Sequence, residues 1–209
     1  KNKQNWRDIN SICYIKDKQV IVNQMRSPLQ NLDELPYPKR VVLNSRFIPI
    51  STSRGCYGIC NFCGVKEFYE QCNIKSARFR SPENVINEIE QLKQLYNPEV
   101  FLISDELFLG ASLNRKKWLN KFYELLVSKN LNIRFQALTR ANDLIMNEEI
   151  IIKLKSVGLI NVFIGIESFV QRQLNFFRKL TKVEHNIEAI RILKKHNLKV
   201  SLGLMLFDP

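Results

Sequence analysis

The chain has 209 residues, of which 45% are hydrophobic and 25% are charged, an ordinary composition for a globular protein with room for one domain. No unbroken apolar run approaches the ~18 residues of a transmembrane helix. The opening sequence KNKQNWRD has no apolar centre of the kind found in signal peptides. Lys and Arg outnumber Asp and Glu by 32 to 20, which would suit an anionic partner such as RNA. Because these charges are spread along solvated helix faces, we do not expect nucleic-acid binding.

Residues 1–45 differ in character from the rest of the chain. The stretch ICYIKDKQVIV predicts two short strands around a turn at Asp17-Lys18. The stretch SPLQNLDELPYPKR follows with three prolines, which indicates an extended linker. The sequence lacks a starting Met, and the elements that follow do not need this segment. We therefore expect a hairpin and linker that connect to a domain upstream.

From Arg46 onward, short apolar strands alternate with helices. The strand segments are, in order, RFIPISTS, EVFLIS, NIRFQAL, INVFIGI and KVSLGLML. The first helical segment is SPENVINEIEQLKQLY, with Ser81 as N-cap and Pro82 in the first turn. The others are LNRKKWLNKFYELLVSK, EEIIIKLKSV and KVEHNIEAIRILKKH. This pattern predicts an α/β domain over residues 46–209, with a parallel sheet as either an open doubly wound sheet or a barrel.

Polar side chains follow the predicted strands at the points where they end. The cysteine-rich stretch RGCYGICNFCGV comes after the first strand, Asp105 and Glu106 after the second, and Arg140 after the third. Glu167 and Ser168 come after the fourth. Because the carboxyl ends of parallel strands meet at one rim, we expect these side chains to line one cavity.

Three of the chain's five cysteines, Cys56, Cys60 and Cys63, lie within eight positions. An odd cysteine count without an export signal argues against a disulfide framework and for a reducing cytoplasm. Zinc sites commonly use two separate cysteine pairs, and no second pair follows here. Zinc with Cys72 as the fourth ligand stays open as an alternative, although packing is the simpler role for Cys13 and Cys72. Three thiolates would also suit a 4Fe–4S cluster, and would leave its fourth iron free for a substrate.

The spacing C-x3-C-x2-C, with the aromatic Phe62 just before the last cysteine, resembles the radical S-adenosylmethionine (radical SAM) superfamily. The resemblance covers residues 46–209 and implies a partial barrel of βα units, which this chain would contain up to about the fifth strand. It also implies a 4Fe–4S cluster on the three cysteines, whose open iron binds S-adenosylmethionine. An electron from the reduced cluster, supplied by a donor such as flavodoxin or ferredoxin, would cleave the sulfonium to methionine and a 5′-deoxyadenosyl radical.

The resemblance extends to single residues around the cysteines. It implies that Tyr57 and Phe62 lie near the adenine or shield the cluster. Asp105 and Glu106, in the sequence SDE, fall where the family contacts the methionine end of S-adenosylmethionine. Many members have a glycine-rich stretch there, and this chain does not.

Further resemblances concern the third, fourth and fifth strands. The sequence GIES, ending in Glu167 and Ser168, resembles the family's strand-four motif near the ribose and methionine groups. Arg140 is suited to pair with the methionine carboxylate, since a guanidinium fork fits a carboxylate. The last strand ends in MLFDP, where many relatives have a glycine near Phe207, so an adenine contact there is not expected.

The linker resembles that of a radical SAM subclass with an N-terminal cobalamin-binding domain, through Asp33, Leu35, Pro36 and Pro38. This implies cobalamin bound by a missing upstream domain, and a methylation or another radical modification as the reaction. The alternative is a non-catalytic zinc- or cluster-binding module with a basic RNA-binding surface. The sequence does not indicate the substrate.

Overall fold

The computed structural model describes residues 5–40, 46–72, 74 and 77–207. Its strands are β1 (Cys13–Lys16), β2 (Gln19–Val22), β3 (Phe47–Ile50), β4 (Ser53–Arg54), β5 (Arg78–Phe79), β6 (Val100–Ile103), β7 (Phe135–Thr139), β8 (Leu159–Glu167) and β9 (Lys199–Leu204). Its α-helices are α1 (Gly64–Gln71), α2 (Pro82–Tyr96), α3 (Leu113–Ser128), α4 (Ala141–Ile145), α5 (Glu148–Ser156), α6 (Gln171–Phe176) and α7 (Val183–Lys195).

Five strands form the central sheet, in the order β3-β6-β7-β8-β9, and all neighbours are parallel. The spatial order follows the chain order, without the reversal that marks a doubly wound sheet. Each strand is therefore added on the same side of the one before it, as in a barrel. The predicted parallel α/β fold is confirmed, and the strand order selects the partial barrel.

The four long helices fall where the apolar pattern predicts them. The side chain of Ser81 accepts a hydrogen bond from the N–H of Asn84, which confirms it as the N-cap of α2, and Pro82 is the first helical residue. The short helices α1, α4 and α6 and the small β4-β5 pair were not expected from the sequence. Within the described ranges, no helix combines the length and the apolar character needed to span a bilayer.

The hydrophobic core lies between the sheet and the helices that cover it. Alternate residues of the strands point to this side, and they pack against apolar faces of α2, α3, α5 and α7. Representative buried members are Ile48, Phe101, Phe135, Ile164, Ile89, Phe122, Leu154 and Leu193. The core holds the strands rigidly, and their carboxyl ends then present the loops that carry the candidate site.

The amino-terminal segment has the predicted hairpin and an extended linker. Asp17 and Lys18 both have positive φ angles, of 49° and 63°, which allow a tight turn between β1 and β2. The linker docks on α2, because Asp33 accepts a hydrogen bond from the N–H of Ser81 at 2.9 Å and Tyr37 donates one to the carbonyl of Asn84 at 3.0 Å. The predicted domain boundary at residues 45 and 46 stays a prediction, since residues 41–45 lie outside the described ranges, as do 1–4 and 208–209.

Candidate functional site

The three clustered cysteines lie on one segment, residues 55–63, which we call the cysteine loop. It runs from β4 to α1 at the carboxyl edge of the sheet. Cys60 is buried, whereas Cys56 and Cys63 are partly exposed, and all three are free thiols. Burial raises the pKa of the Cys56 thiol, although the N–H of Gly58 and the charge of Arg140 partly offset this effect.

The sulfurs do not gather into a ligand set. Among residues 5–40, 46–72, 74 and 77–207, no three His, Cys, Asp or Glu side chains are grouped so that they could hold a metal ion. The guanidinium of Arg140 contacts the thiols instead: its Nη1 lies 3.6 Å from Sγ of Cys60, and its charge acts on Cys56 as well. The three thiols share one loop, as expected, and their assignment as cluster ligands stays a prediction.

The second half of the cysteine loop is attached to the end of α6. The side chain of Asn61 donates a hydrogen bond to the carbonyl of Phe176 at 2.7 Å, and its backbone N–H donates to the carbonyl of Phe177 at 3.2 Å. The ring of Phe62 meets that of Phe177 edge to face, with centroids 5.5 Å apart. Phe62 is thus held at the side of the loop that faces the β8-α7 connection.

Asp105 is buried beneath the start of the cysteine loop. Its carboxylate accepts hydrogen bonds from the backbone and hydroxyl of Thr52, at 2.6 and 2.5 Å, and from those of Ser53, at 3.1 and 2.6 Å. It also pairs with Arg115 at 3.3 Å, and both side chains are shielded from solvent. These contacts use the carboxylate fully in fixing the segment that leads into the loop.

Glu106 connects the cysteine loop to α1. One carboxylate oxygen accepts the N–H of Gly55 at 3.2 Å, and the other accepts the hydroxyl of Tyr69 at 3.1 Å. Burial, and then the charge of Glu106, raise the pKa of Tyr69 to about 12. Gly55 has a φ of 109°, a conformation that favours glycine, where the chain turns into the loop.

Tyr57 and Arg140 lie against each other beside Cys56. The guanidinium carbon of Arg140 is 5.2 Å from the centroid of the Tyr57 ring, and Nη2 donates to the carbonyl of Lys179. The Tyr57 hydroxyl donates to a carboxylate oxygen of Asp143 at 2.6 Å. Burial, followed by this hydrogen bond, raises the pKa of Tyr57 far above its usual value.

Glu167 lies at the end of β8 in an unusual backbone conformation. Its φ of 63° is in the left-handed region, and the register of β8 with β9 shifts at this point. Its carboxylate pairs with Nζ of Lys179 at 2.8 Å, and both side chains are largely buried. The carboxylate lies over Gly165, where a Cβ atom would be 2.7 Å from Oε1.

The hydroxyl of the predicted site residue Ser168 is directed towards the next turn of the chain. It donates to the side chain of Gln173 and accepts the N–H of Val170 at 2.9 Å. Its carbonyl also accepts a hydrogen bond from Asn186 at 3.0 Å. The contacts of Ser168 are thus those of a residue that shapes the start of α6.

A cavity of about 380 Å³ lies beside the cysteine loop. It is lined by Cys56, Tyr57, Gly58, Ile59, Lys66, Tyr69, Glu70 and Ile74. Asp105, Arg140, Glu167 and Ser168 are not among the described residues that line it, and their place in a shared site stays a prediction. Arg140 contacts the cysteine loop through Cys60. Glu167 is connected to Arg140 through Lys179, whose side chain pairs with Glu167 and whose carbonyl accepts a hydrogen bond from Arg140.

Two polar residues of this region, Asp143 and Lys179, were not identified from the sequence. Asp143 lies in α4, where it reads as an ordinary polar residue of a first turn. Lys179 lies in a run of basic residues after α6 that resembles a solvated loop. Only the folded chain brings them to Tyr57 and Glu167.

The model of the Radical SAM superfamily matches residues 50–209. The chain therefore belongs to this superfamily, as the cysteine spacing and the partial barrel indicate.

Known relatives differ in their reactions. The chain is 28% identical over 200 residues to the anaerobic magnesium-protoporphyrin IX monomethyl ester cyclase of Rubrivivax gelatinosus, which is 91% of this chain and 34% of the relative. It superposes on the cobalamin-dependent S-adenosylmethionine radical enzyme OxsB, solved with aqua-cobalamin and S-adenosylmethionine bound, with a TM-score of 0.83 at 23% identity. That match covers 99% of this chain and 31% of OxsB.

A third similarity is to the radical S-adenosylmethionine methyltransferase TsrM from Kitasatospora setae, with a TM-score of 0.74 at 14% identity over 95% of this chain and 41% of TsrM. The solved structures support the fold. The chain spans about a third of the length of the cyclase and of OxsB.

Proposed function

We propose that this chain is the core of a radical enzyme, in which Cys56, Cys60 and Cys63 bind a 4Fe–4S cluster that cleaves S-adenosylmethionine. The observation that carries the proposal is the position of three free thiols on one loop, at the carboxyl edge of a partial barrel. Membership of the superfamily supports it, because the matched residues 50–209 include all three cysteines.

The chemistry of the loop fits such a cluster. Thiolates are the usual ligands of iron–sulfur clusters, and three of them leave one iron for another ligand. Arg140 is 6% exposed, and its Nε has no hydrogen-bond partner among the described residues. A buried cation with an unused donor beside the cysteines would stabilise thiolates and a nearby carboxylate. Convergence of the three sulfurs would require a shift of the loop, and metal binding commonly orders such a loop.

A bound and reduced cluster would supply one electron to the sulfonium of S-adenosylmethionine, and the carbon–sulfur bond would then break to give methionine and a 5′-deoxyadenosyl radical. The electron would come from a donor such as flavodoxin or ferredoxin. Free thiols and low-potential redox chemistry both favour a reducing compartment, and we therefore propose the cytoplasm as the location.

The other site residues divide by their contacts. Tyr57 lines the cavity beside Cys56 and would lie near the adenine or cover the cluster, and Phe62 would shield the other side of the loop. Arg140 would bind the methionine carboxylate, and Glu167 would bind the ribose or the methionine amino group. Arg140 could do this through its Nε, which has no hydrogen-bond partner among the described residues.

Asp105, Glu106 and Ser168 use their polar atoms within the protein. We propose that they support the site and do not touch S-adenosylmethionine directly. Asp105 fixes Thr52 and Ser53 before the cysteine loop, and Glu106 joins Gly55 to Tyr69.

Cobalamin is the further cofactor that we propose, held by a domain outside this chain. The likeness to OxsB covers 99% of the chain, so it includes the hairpin and linker as well as the barrel. Because the named relatives include a cyclase and a methyltransferase, methyl transfer is one of two reaction classes that the proposal allows.

Anaerobic reconstitution with iron and sulfide tests the proposal. The expected result is a brown protein with about four irons, whose reduced form has an electron paramagnetic resonance (EPR) signal that changes when S-adenosylmethionine is added. Methionine and 5′-deoxyadenosine should then accumulate in the presence of a reductant. A colourless protein that takes up zinc and no iron would contradict the proposal.

A further inference from the structure

Tyr57, which follows Cys56, is held at its hydroxyl group by the buried carboxylate of Asp143. The hydroxyl of Tyr57 donates to Oδ2 of Asp143 at 2.6 Å, and Oδ1 of Asp143 accepts the backbone N–H of Ala111 at 2.8 Å. Asp143 is 1% exposed. One carboxylate therefore joins the cysteine loop to the β6-α3 connection, although the two segments are far apart in the sequence.

The face of the same ring is covered by a second residue from the same part of the fold. Arg140 precedes α4 and Asp143 lies within it, so both contacts with Tyr57 come from one rigid corner after β7. Asn147 braces this corner, because its side chain donates to the carbonyl of Asp143 at 2.6 Å. A ring held at its face and at its hydroxyl has little freedom to turn.

The backbone next to Tyr57 contributes to the orientation of the Cys56 thiol. The N–H of Gly58 donates to Sγ of Cys56 at 3.3 Å, so the orientation of this thiol depends on the peptide that leaves Tyr57. If Tyr57 is released, the Cys56 side chain and the Gly58 N–H lose one restraint on their rotation, while the contact of Arg140 with Cys56 stays.

We propose that Asp143 is a positioning residue for the cysteine loop, acting through the hydroxyl of Tyr57 to fix the direction of the Cys56 thiol. This inference rests on the proposed function, because the loop is taken to bind the cluster. A buried carboxylate that meets only neutral hydrogen-bond donors in its direct contacts is costly to maintain, and the bond to Tyr57 is one of the two that offset this cost. The competing role is purely structural. Asp143 would then hold α4 through its hydrogen bond with Ala111, and its loss would not change the conformation of the cysteine loop.

Thiol alkylation in the intact protein without metal separates these roles. Iodoacetamide is added at one fixed pH, and the labelling rates of Cys56 and Cys72 are followed by mass spectrometry of peptides. With Tyr57→Phe and with Asp143→Ala, we expect Cys56 to react about tenfold faster, as for the loss of one buried hydrogen bond. Cys72 should not change in either variant.

Non-additivity provides the second test. If Asp143 acts through Tyr57, the double variant should react no faster at Cys56 than either single variant. Glu88→Gln is the matched control, because Glu88 is a buried carboxylate in α2 that is bonded to Arg40 and Arg80. It should lower overall stability without a change at Cys56. Tyr57→Phe keeps the experiment valid if Asp143→Ala does not fold, because Tyr57 is about half exposed and loses only one oxygen.

A third measurement uses the reconstituted protein, in which the rate of iron loss to a chelator should rise in the same variants and not in Glu88→Gln. An unchanged Cys56 labelling rate in Tyr57→Phe, or full additivity in the double variant, would overturn the inference. If no variant and no wild-type protein takes up iron, the proposed function fails, while the alkylation rates still decide whether Asp143 positions the loop.

Discussion

Gly58 and Arg140 share one space beneath the cysteine loop. A Cβ atom on residue 58 would lie 2.3 Å from Nη1 of Arg140, which is too close for any side chain to be added without movement. Arg140 cannot withdraw easily, because Nη2 donates to the carbonyl of Lys179 and its guanidinium lies over Tyr57. Glycine at position 58 is thus a consequence of a cation being buried against the loop.

Gly58→Ala should therefore destabilise the protein. The added methyl group must displace either the loop or the guanidinium, and overpacking of this kind costs about 1–3 kcal/mol. The free energy of unfolding, measured with urea, is expected to fall by that amount. Gly64→Ala is the control, since a Cβ atom there meets nothing within 4 Å. Equal stability of the two variants would show that the loop yields freely at Gly58.

The fold was largely predictable from the sequence because its signals are local. Apolar runs of strand length and the N-cap at Ser81 depend on neighbours in the chain, and they indicated the five strands and four long helices. The short helices α4 and α6 were missed because each has only five or six residues. Their apolar residues do not repeat often enough to define a helical face.

The site was predictable only in part, for a related physical reason. Cysteine spacing is a local pattern, and it identified the loop. The contacts of Tyr57 with Asp143 and of Glu167 with Lys179 join residues brought together by the barrel, and no local signal marks them. The enclosure of Asp105 by Thr52, Ser53 and Arg115 was equally unforeseen, since a polar residue after a strand can face either the cavity or the core.

Single replacement of each loop cysteine tests the ligand assignment. We expect Cys56→Ala, Cys60→Ala and Cys63→Ala each to lose the iron–sulfur cluster, since two thiolates hold it poorly. Cys13→Ala and Cys72→Ala serve as controls and should keep the iron content of the wild type. Iron and sulfide analysis after anaerobic reconstitution gives the result. Retention of a full cluster by any of the first three variants would remove that cysteine from the ligand set.

Asp105→Asn should be among the most destabilising single changes in the chain. Burial lowers the pKa of Arg115 to about 10, and the charge of Asp105 works against this shift. Loss of the carboxylate charge would leave the Arg115 cation buried without its partner, at a cost of about 3–5 kcal/mol. Glu99→Gln removes the partner of Arg46 at the surface and should change stability little, because solvent screens an exposed ion pair. Urea denaturation of both variants compares the two cases directly, and similar losses would mean that Arg115 finds another partner.

Tyr69 predicts a particular dependence of stability on alkaline pH. Its pKa of about 12 in the folded chain lies above the value of about 10 for an unfolded tyrosine. The proton is held more tightly when folded, so the contribution to stability is complete below pH ~10 and is lost as the pH rises towards 12. Glu106→Gln should lower the pKa, because it removes the nearby negative charge. Carbon-13 resonances of labelled tyrosines, assigned with Tyr69→Phe, should show a larger deprotonated fraction of Tyr69 at pH ~11 in Glu106→Gln than in the wild type. The change should be partial, because burial is the larger cause of the raised pKa and remains in the variant.

Variants of Glu167 can distinguish a role in binding S-adenosylmethionine from a role in stability. Its left-handed backbone and buried pairing with Lys179 are unfavourable features that a purely structural residue would not need. If Glu167 binds S-adenosylmethionine, Glu167→Gln should weaken that binding at least about tenfold while the iron content stays intact. The same change leaves the Lys179 ammonium buried without its partner, so stability should also fall, by about 3 kcal/mol.

Removal of both charges resolves the ambiguity between these two effects. In the double variant Glu167→Gln with Lys179→Met, no uncompensated charge is left at this pair, so much of the lost stability should return. Binding of S-adenosylmethionine to the reconstituted protein, measured by equilibrium dialysis, should nevertheless stay weak, since the carboxylate is still missing. Recovery of wild-type affinity together with stability would mean that Glu167 serves only to neutralise Lys179, and its assignment to the cofactor would be withdrawn.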